Sequence, residues 1–442
     1  MKKIYVESLG CAKNQVDSEI LLSLAEKEGY SAVSRPSDAD VIVVNTCGFI
    51  ESAKKEAVDT FFSLRNAFED KKIVLAGCLA QRYFGELELD EADAIFGNHD
   101  LSAFPEVLRR LETEKTQVRL CPEGDRSKSD CRRTQLLSRK GSAYLKISEG
   151  CNHRCNYCAI PLIRGPLVSR KREDILSEAR DLISRGVWEI NVVAQDLGAW
   201  GSDFADGKET FTSLIEELAG LEGDFVLRML YIHPDTFPME LIDTVARCPK
   251  ILPYFDIPFQ HSWPGVLRGM KRTGSRESYV GLINAIRDRI PDAVIRSTLM
   301  LGFPGEDEEA FNDLMRFVDE AQLDWMGSFL YSREEDTPAY SMRGEREHRK
   351  AHKQAAVWQN ELEEKQTQIT QKRLERFVGR TYRAIVEEPV AGEDLAIARI
   401  YSQAPDVDGL TVIMAEDLHE GDIVTVGIRA VRGFDLEAVP VR

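Results

Sequence analysis

Three cysteines fall within eight residues in Cys151-Asn152-His153-Arg154-Cys155-Asn156-Tyr157-Cys158, a C-x3-C-x2-C run directly after the strand-like stretch 143–148. Thiolates are soft ligands. Three of them in one short loop suit an iron–sulfur cube, and with no fourth cysteine close behind, one iron is left without a protein ligand. An open iron can bind a reactant. The competing reading is a closed tetrahedral zinc site, which wants a fourth Cys or His and paired C-x2-C halves. His153 sits inside the loop and reaches a metal poorly.

A second set is spread out in sequence. Cys11, Cys47 and Cys78 occur in Ser8-Leu9-Gly10-Cys11, Asn45-Thr46-Cys47-Gly48 and Gly77-Cys78, each at or just beyond the end of a predicted strand. Residues 1–115 alternate between strand stretches (4–6, 40–45, 73–76, 94–96) and helical ones (19–28, 51–68, 101–111), the pattern of an open parallel α/β sheet. The carboxyl ends of such strands share one crevice, so distant cysteines can converge there on one metal group. Gly10, Gly48 and Gly77 allow close backbone approach. Three buried cysteines acting as small apolar residues are the alternative, against which the repetition at three strand ends argues.

The elements that must position these groups follow in order. Residues 116–140 read as a connector containing Pro122 and Gly124, in which Cys121 and Cys131 are incidental reduced thiols. Cys248 follows a predicted helix. From 141 to 342, strand-like stretches at 143–148, 189–194, 226–232, 254–259, 294–301 and 325–331 alternate with helical sequence, which predicts a partial barrel of six βα units. Barrels carry their catalytic groups at the carboxyl mouths of the strands. Here Gln195, Asp196, His233, Gln260, His261, Ser297 and Thr298 fall there, and Gly302-Phe303-Pro304-Gly305-Glu306 offers a strand-to-helix turn. Residues 343–375 read as a linker helix. Short strands between Gly and Pro turns over 376–442 predict a small β-barrel of the oligonucleotide-binding type.

Composition narrows the partners. The 442 residues are 43% hydrophobic and 30% charged, with no apolar run of membrane-spanning length and no signal-peptide pattern, so a cytoplasmic protein is expected. Nine cysteines are too few for a disulfide scaffold of this size. A net charge of -17 speaks against stable nucleic-acid binding and for a basic partner. Residues 376–442 carry seven Arg and no Lys against twelve Asp and Glu, wrong for gripping a phosphate backbone. The acidic clusters Glu387-Glu388 and Glu416-Asp417 are candidates for docking such a partner.

The C-x3-C-x2-C run resembles the signature of the radical S-adenosylmethionine (SAM) enzymes. In that family SAM chelates the open iron of a 4Fe-4S cluster. One electron passed to its sulfonium then yields methionine and a 5'-deoxyadenosyl radical that abstracts hydrogen from an unactivated carbon. Tyr157 matches the family position that lies against the adenine, with core packing as the alternative. Gln195, Gln260, Ser297 and Thr298 are the strand-end candidates for further SAM contacts.

Nearly the whole chain resembles the methylthiotransferases, which join an N-terminal cluster domain, a radical SAM core and a C-terminal TRAM domain. Ser8-Leu9-Gly10-Cys11-Ala12-Lys13-Asn14, Asn45-Thr46-Cys47-Gly48-Phe49-Ile50 and Glu334-Glu335-Asp336-Thr337-Pro338 look like the RimO branch, which modifies the β-carbon of an aspartate in ribosomal protein S-twelve. After Gln260-His261 the family commonly has a small residue and an acid, where this chain has Ser262-Trp263-Pro264-Gly265. The resemblance implies two 4Fe-4S clusters and two molecules of SAM. Cys11, Cys47 and Cys78 would hold the cluster that carries sulfur, which one SAM methylates. Cys151, Cys155 and Cys158 would hold the cluster that cleaves the other SAM. An electron donor such as a flavodoxin and a source of sulfur are implied as well. Methylthiolation of adenosine in transfer RNA is the alternative within the class, and it needs a basic surface. A non-catalytic iron–sulfur carrier is the alternative outside it, and it needs no SAM pocket.

Overall fold

The computed structural model describes residues 2–124, 132–205 and 207–441. Strands β1 (Lys2–Ser8), β2 (Tyr30–Ala32), β3 (Val41–Thr46), β4 (Lys72–Gly77), β5 (Ala94–Phe96) and β6 (Val118–Leu120) pair in parallel in the order β2-β1-β3-β4-β5-β6. Helices α1 (Ala12–Lys27), α2 (Glu51–Ala67), α3 (Cys78–Arg82) and α4 (Phe104–Thr113) connect them. A parallel strand buried on both faces is a continuous apolar run, as Val41-Ile42-Val43-Val44 is. Strand order reverses between β1 and β3, and a doubly wound sheet opens its crevice at that point, beyond the carboxyl ends. Strand β6 lies within the stretch read as connector, because three residues at a sheet edge carry too little periodicity to detect. Cys121 follows it directly, whereas Cys131 lies outside the described residues.

The second sheet is the six-stranded partial barrel. It contains β7 (Ser142–Lys146), β10 (Glu189–Val193), β11 (Val226–Leu230), β12 (Ile251–Asp256), β13 (Val294–Leu301) and β14 (Trp325–Leu330), all parallel, in the order β14-β13-β12-β11-β10-β7. A two-residue hairpin of β8 (Ser148–Glu149) and β9 (Val168–Ser169) flanks the mouth together with α5 (Ile160–Ile163). Period-two alternation divides each strand. Leu145, Ile190, Val192, Leu227, Met229 and Ile295 join the core under the outer helices α6 (Arg172–Ser184), α7 (Phe211–Ala219), α8 (Glu240–Arg247), α10 (Arg276–Arg289) and α11 (Glu308–Ala321). Tyr144, Val193, Val226, Tyr254 and Val294 belong to a different cluster on the concave side. The unusual Ser262-Trp263-Pro264-Gly265 stretch opens α9 (Pro264–Gly269), with Pro264 at its first position.

An open sheet leaves two edges to be covered. On the β14 side lies α12 (Glu345–Leu374), the predicted linker helix. Its Trp358 stacks on Phe311 with ring centroids 5.0 Å apart, and its Gln366 and Thr370 donate to the carbonyls of Leu323 and Asp324 at 2.8 and 2.9 Å. On the β7 side lies α1 of the first domain. There Arg133 pairs with Glu19 of α1 and donates to Tyr144 O at 2.7 Å.

Strands β15 (Thr381–Pro389), β16 (Leu395–Arg399), β17 (Thr411–Met414), β18 (Ile423–Arg432) and β19 (Asp435–Pro440) close into a barrel in the order β15-β16-β17-β19-β18. The loop between β16 and β17 enters the concave face of the large sheet. Arg399 pairs with Glu189 at 2.7 Å, Arg228 donates to Tyr401 O at 2.8 Å, Trp325 Nε1 donates to Ser402 O at 2.6 Å and Tyr254 donates to Asp408 at 2.6 Å. Glu189 is buried between Arg228 and Arg399, and although burial opposes its charge, the two guanidinium groups hold its carboxyl far below the usual carboxylate range. This interior also corrects one surface expectation. Glu387 is buried and paired with Arg399, so of the Glu387-Glu388 pair only Glu388 is exposed, and it pairs with Arg139 at 3.1 Å. Among the described residues no helix is long and apolar enough to cross a membrane.

Candidate functional site

The crevice of the first sheet brings the scattered cysteines together. Cys11 caps α1, Cys47 follows β3 and Cys78 opens α3. A Cβ added at Gly10 would lie 2.8 Å from Cys47 Cβ, and one at Gly48 would lie 2.9 Å from the carbonyl carbon of Cys78. Gly77, at φ +94°, turns the chain from β4 into α3 in a conformation that other residues rarely adopt. Asn14 ties the floor, donating to the carbonyls of Leu9, Asn45 and Thr46 at 2.7, 3.2 and 3.1 Å.

The thiols differ in electrostatic setting. Cys11 opens to solvent but is ringed by protein. That crowding opposes its ionisation, yet Lys13, Arg164 and the N–H groups of Asn14 and Lys13 outweigh it and lower the thiol below its ordinary range. Burial raises Cys47 against the N–H of Phe49, and pushes Cys78 up to about 12 against the guanidinium of Arg164. Asn98 Nδ2 and Arg164 Nη2 both donate to Cys78 Sγ, at 3.4 and 3.2 Å.

The second triad sits at the mouth of the partial barrel, in the loop between β8 and α5. Gly150, at φ +70°, brings the backbone against Pro166, whose carbonyl oxygen a Cβ would meet at 2.1 Å, and Cys151 N donates to Gly165 O at 3.2 Å. Asn156 anchors the loop by donating through its side chain to Gly269 O at 2.8 Å and through its backbone to Met270 O at 3.0 Å. His153 bonds to Asp196 at 2.7 Å and stacks on His233 at 3.8 Å, so it buttresses the loop from outside. Burial pushes the Cys151 thiol up to about 11 and that of Cys158 up to about 12, and raises that of Cys155, which the nearby Arg272 opposes. Ligation requires the thiolate, so binding a metal group here releases protons.

Among the described residues, no three Cys, His, Asp or Glu side chains gather around one ion position. A cube spreads its thiolates around a larger body than a single ion does, and all-sulfur donor sets suit it. The strand-end candidates fare differently from one another. Both amide atoms of Gln195, Gln260 Oε1 and His233 Nε2 are buried without a protein partner among the described residues. Ser297 Oγ accepts from Phe259 N at 3.2 Å, and Thr298 O accepts from Gln260 N at 2.8 Å. Tyr157 packs beside Phe303 with its hydroxyl against Cys155. Glu306 folds back to accept from Gly302 N and meets His261, which closes the Gly302–Glu306 turn on itself.

Cys78 brings the first triad to the chain that carries the second. Cys78 packs with Phe49, Ala159 and Ile163, so it touches the chain immediately after Cys158. Lys13 of α1 reaches the carbonyl of Ala194, next to Gln195, at 3.2 Å and covers the ring of Tyr231 at 4.4 Å. On the far side, Glu334 is buried against Arg82 at 2.7 Å and Lys54 at 3.1 Å, while Tyr83 donates to Glu335 at 2.8 Å. The Glu334-Glu335-Asp336-Thr337-Pro338 stretch is thus the clamp that locks the first domain over the barrel mouth. Asp196, His233, Arg272 and Arg164 were not singled out as supports of the triads.

Comparison with known proteins agrees with this architecture. Residues 3–97 match the uncharacterized protein family UPF0004, residues 145–318 the radical SAM superfamily and residues 378–441 the TRAM domain. A ribosomal protein uS12 methylthiotransferase RimO from Treponema denticola is 38% identical over 98% of this chain and 99% of its own. The protein of the same name from Acetivibrio thermocellus is 38% identical over 98% and 97%. The solved radical SAM methyltransferase TsrM from Kitasatospora setae superposes with a TM-score of 0.56 at 16% identity over 77% of each chain, a likeness of fold.

Proposed function

Since the chain belongs to the ribosomal protein uS12 methylthiotransferase family, we propose that it transfers a methylthio group to the β-carbon of an aspartate in uS12. The observation that carries this reading is the packing of Cys78 against the chain just after Cys158, at a barrel mouth where Gln195 and Gln260 keep buried amide atoms without a protein partner. A 4Fe-4S cluster and SAM, which the radical SAM core implies, would supply the one-electron chemistry that opens a C–H bond when bound.

The residues around that chemistry have separable tasks. Cys151, Cys155 and Cys158 would hold the SAM-side cluster and Cys11, Cys47 and Cys78 a second one. Gln195 and Gln260 would orient SAM through the amide atoms that the protein leaves unpaired. Lys13, bonded to Ala194 O and lying over the Tyr231 ring, would tie α1 to the strand ends beside Gln195. Glu388, Glu416 and Asp417 are exposed on the TRAM domain and would attract a lysine- and arginine-rich protein, raising its encounter rate. A ribosomal substrate, a reductant of the flavodoxin kind and a sulfur source would all be met in the cytoplasm.

The test pairs two substrates. The reconstituted enzyme, SAM, reductant and sulfide are mixed with uS12 or with unmodified transfer RNA, and each is weighed for the methylthio gain. Gain on an aspartate of uS12 is expected. Gain on transfer RNA alone overturns the assignment.

A further inference from the structure

Arg164 caps α5 six positions after Cys158 and is only 3% exposed. Its Nη2 donates to Cys78 Sγ at 3.2 Å and to Asn14 Oδ1 at 3.0 Å. Its Nη1 donates to Asp17 at 2.7 Å and to Glu149 at 3.3 and 3.4 Å. Asn14 and Asp17 belong to α1 of the first domain, while Glu149 stands two positions before Cys151. One guanidinium therefore touches a candidate ligand of the first triad while its own chain and its carboxylate partner flank the second. Such a fork, gripped by carboxylates, has fixed geometry that a lysine would not reproduce.

We propose that Arg164 is a positioning residue that registers the two cluster sites against each other and sets the reduction potential of the cluster held by Cys11, Cys47 and Cys78. This rests on the reading of those three cysteines as cluster ligands. Hydrogen bonds to ligating sulfurs and nearby charge are main determinants of iron–sulfur potentials. Uptake of one electron from the reductant adds one negative charge to the cluster, and a donor cation at the ligating sulfur favours that state. The surroundings keep that cation effective. Lys13 and Lys146 add positive charge around it, and Lys146 shares Asp17 and Glu149 with Arg164. Asn98, the other donor to Cys78 Sγ, is neutral and supplies a control. A purely mechanical role in joining the domains would leave the potential where it is.

The experiment uses the full-length chain with Cys151, Cys155 and Cys158 replaced by Ala. It is reconstituted without oxygen so that any paramagnetic signal comes from the first triad. Redox titration followed by electron paramagnetic resonance gives its midpoint. In this background R164Q should shift the reduction equilibrium at least tenfold toward the oxidised form, about 59 mV for one electron. R164K and N98A should each shift it less, and E149Q should move it the opposite way by unmasking the guanidinium. If R164Q does not load iron, the direction of the E149Q shift decides alone. Midpoints unmoved in R164Q and E149Q overturn the proposal and leave the ligand reading intact. A background chain that binds no iron overturns the ligand reading itself.

Discussion

Asp408 makes the seat of the TRAM loop sensitive to pH. Its carboxyl is buried beneath the large sheet, accepting from Tyr254 Oη at 2.6 Å and from Ala404 N at 2.8 Å, with Arg296 Nε 3.5 Å away. Burial pushes its pKa up from 3.8 to about 6, and Arg296 and Tyr254 only partly oppose the rise. A carboxyl raised in the folded state stabilises that state below its unfolded pKa, and the stability is lost as pH rises through the folded value. The whole effect is about 3 kcal/mol at 1.36 kcal/mol per unit. Of this, about 1 kcal/mol separates pH 5.5 from pH 8, a window clear of the pH below 5.5 where the acidic chain nears neutrality. Hydrogen exchange at the Ala404 amide, corrected for the intrinsic base dependence, reads the opening free energy of the loop. It should fall by that amount from pH 5.5 to 8 in the parent and not in D408N. Equal changes in the two chains would refute the reasoning.

Other expectations follow from the site. Alanine at Cys151, Cys155 and Cys158 should abolish reductive SAM cleavage, whereas alanine at Cys11, Cys47 and Cys78 should leave cleavage and stop methylthio transfer, both measured by chromatography of the products. E334A removes the buried carboxylate that Arg82 and Lys54 share at the domain boundary and should weaken docking by about 1.5–3 kcal/mol, the worth of a charged hydrogen bond, seen as faster proteolysis around α3. Joint replacement of Cys121, Cys131 and Cys248 by Ser should preserve iron content, and loss of about half the iron would show that one of them is a ligand. E388K with E416K and D417K should weaken uS12 binding without touching SAM cleavage. E387K, by contrast, should destabilise the chain in a melting experiment because Glu387 faces buried Arg399.

What the sequence made legible was periodic or clustered. The six barrel strands were visible because each is a compact apolar run, and the cysteines because their spacing is compact in one loop and repeated at strand ends in the other set. The supports were hidden for the opposite reason. Arg164 meets Cys78 across 86 positions and Asp196 meets His153 across 43, so no local pattern announces either contact. Helix α12 is readable as a helix, but its task of covering an edge strand is not, since only Ala355, Leu362, Ile369 and Leu374 among its apolar residues are buried, and its other buried contacts come from the polar Gln366 and Thr370. Glu387 looked like a surface acid because its partner lies on the neighbouring strand, where cross-strand pairing and not sequence proximity decides burial.

The loop from β16 to β17 also gives the molecule a birth order. Strand β14 ends at Leu330 and the last strand at Pro440, so at roughly 5–20 residues per second the nascent large sheet waits on the order of 5–20 s for its floor. Throughout that interval Glu189, Arg228 and Arg296 lack Arg399, the Tyr401 carbonyl and Asp408. A chain released early would display this half-charged, half-apolar inner wall, the kind of surface that chaperones and proteases engage. The β16–β17 loop thereby ties the integrity of the large sheet to the folding of a barrel made more than sixty residues later.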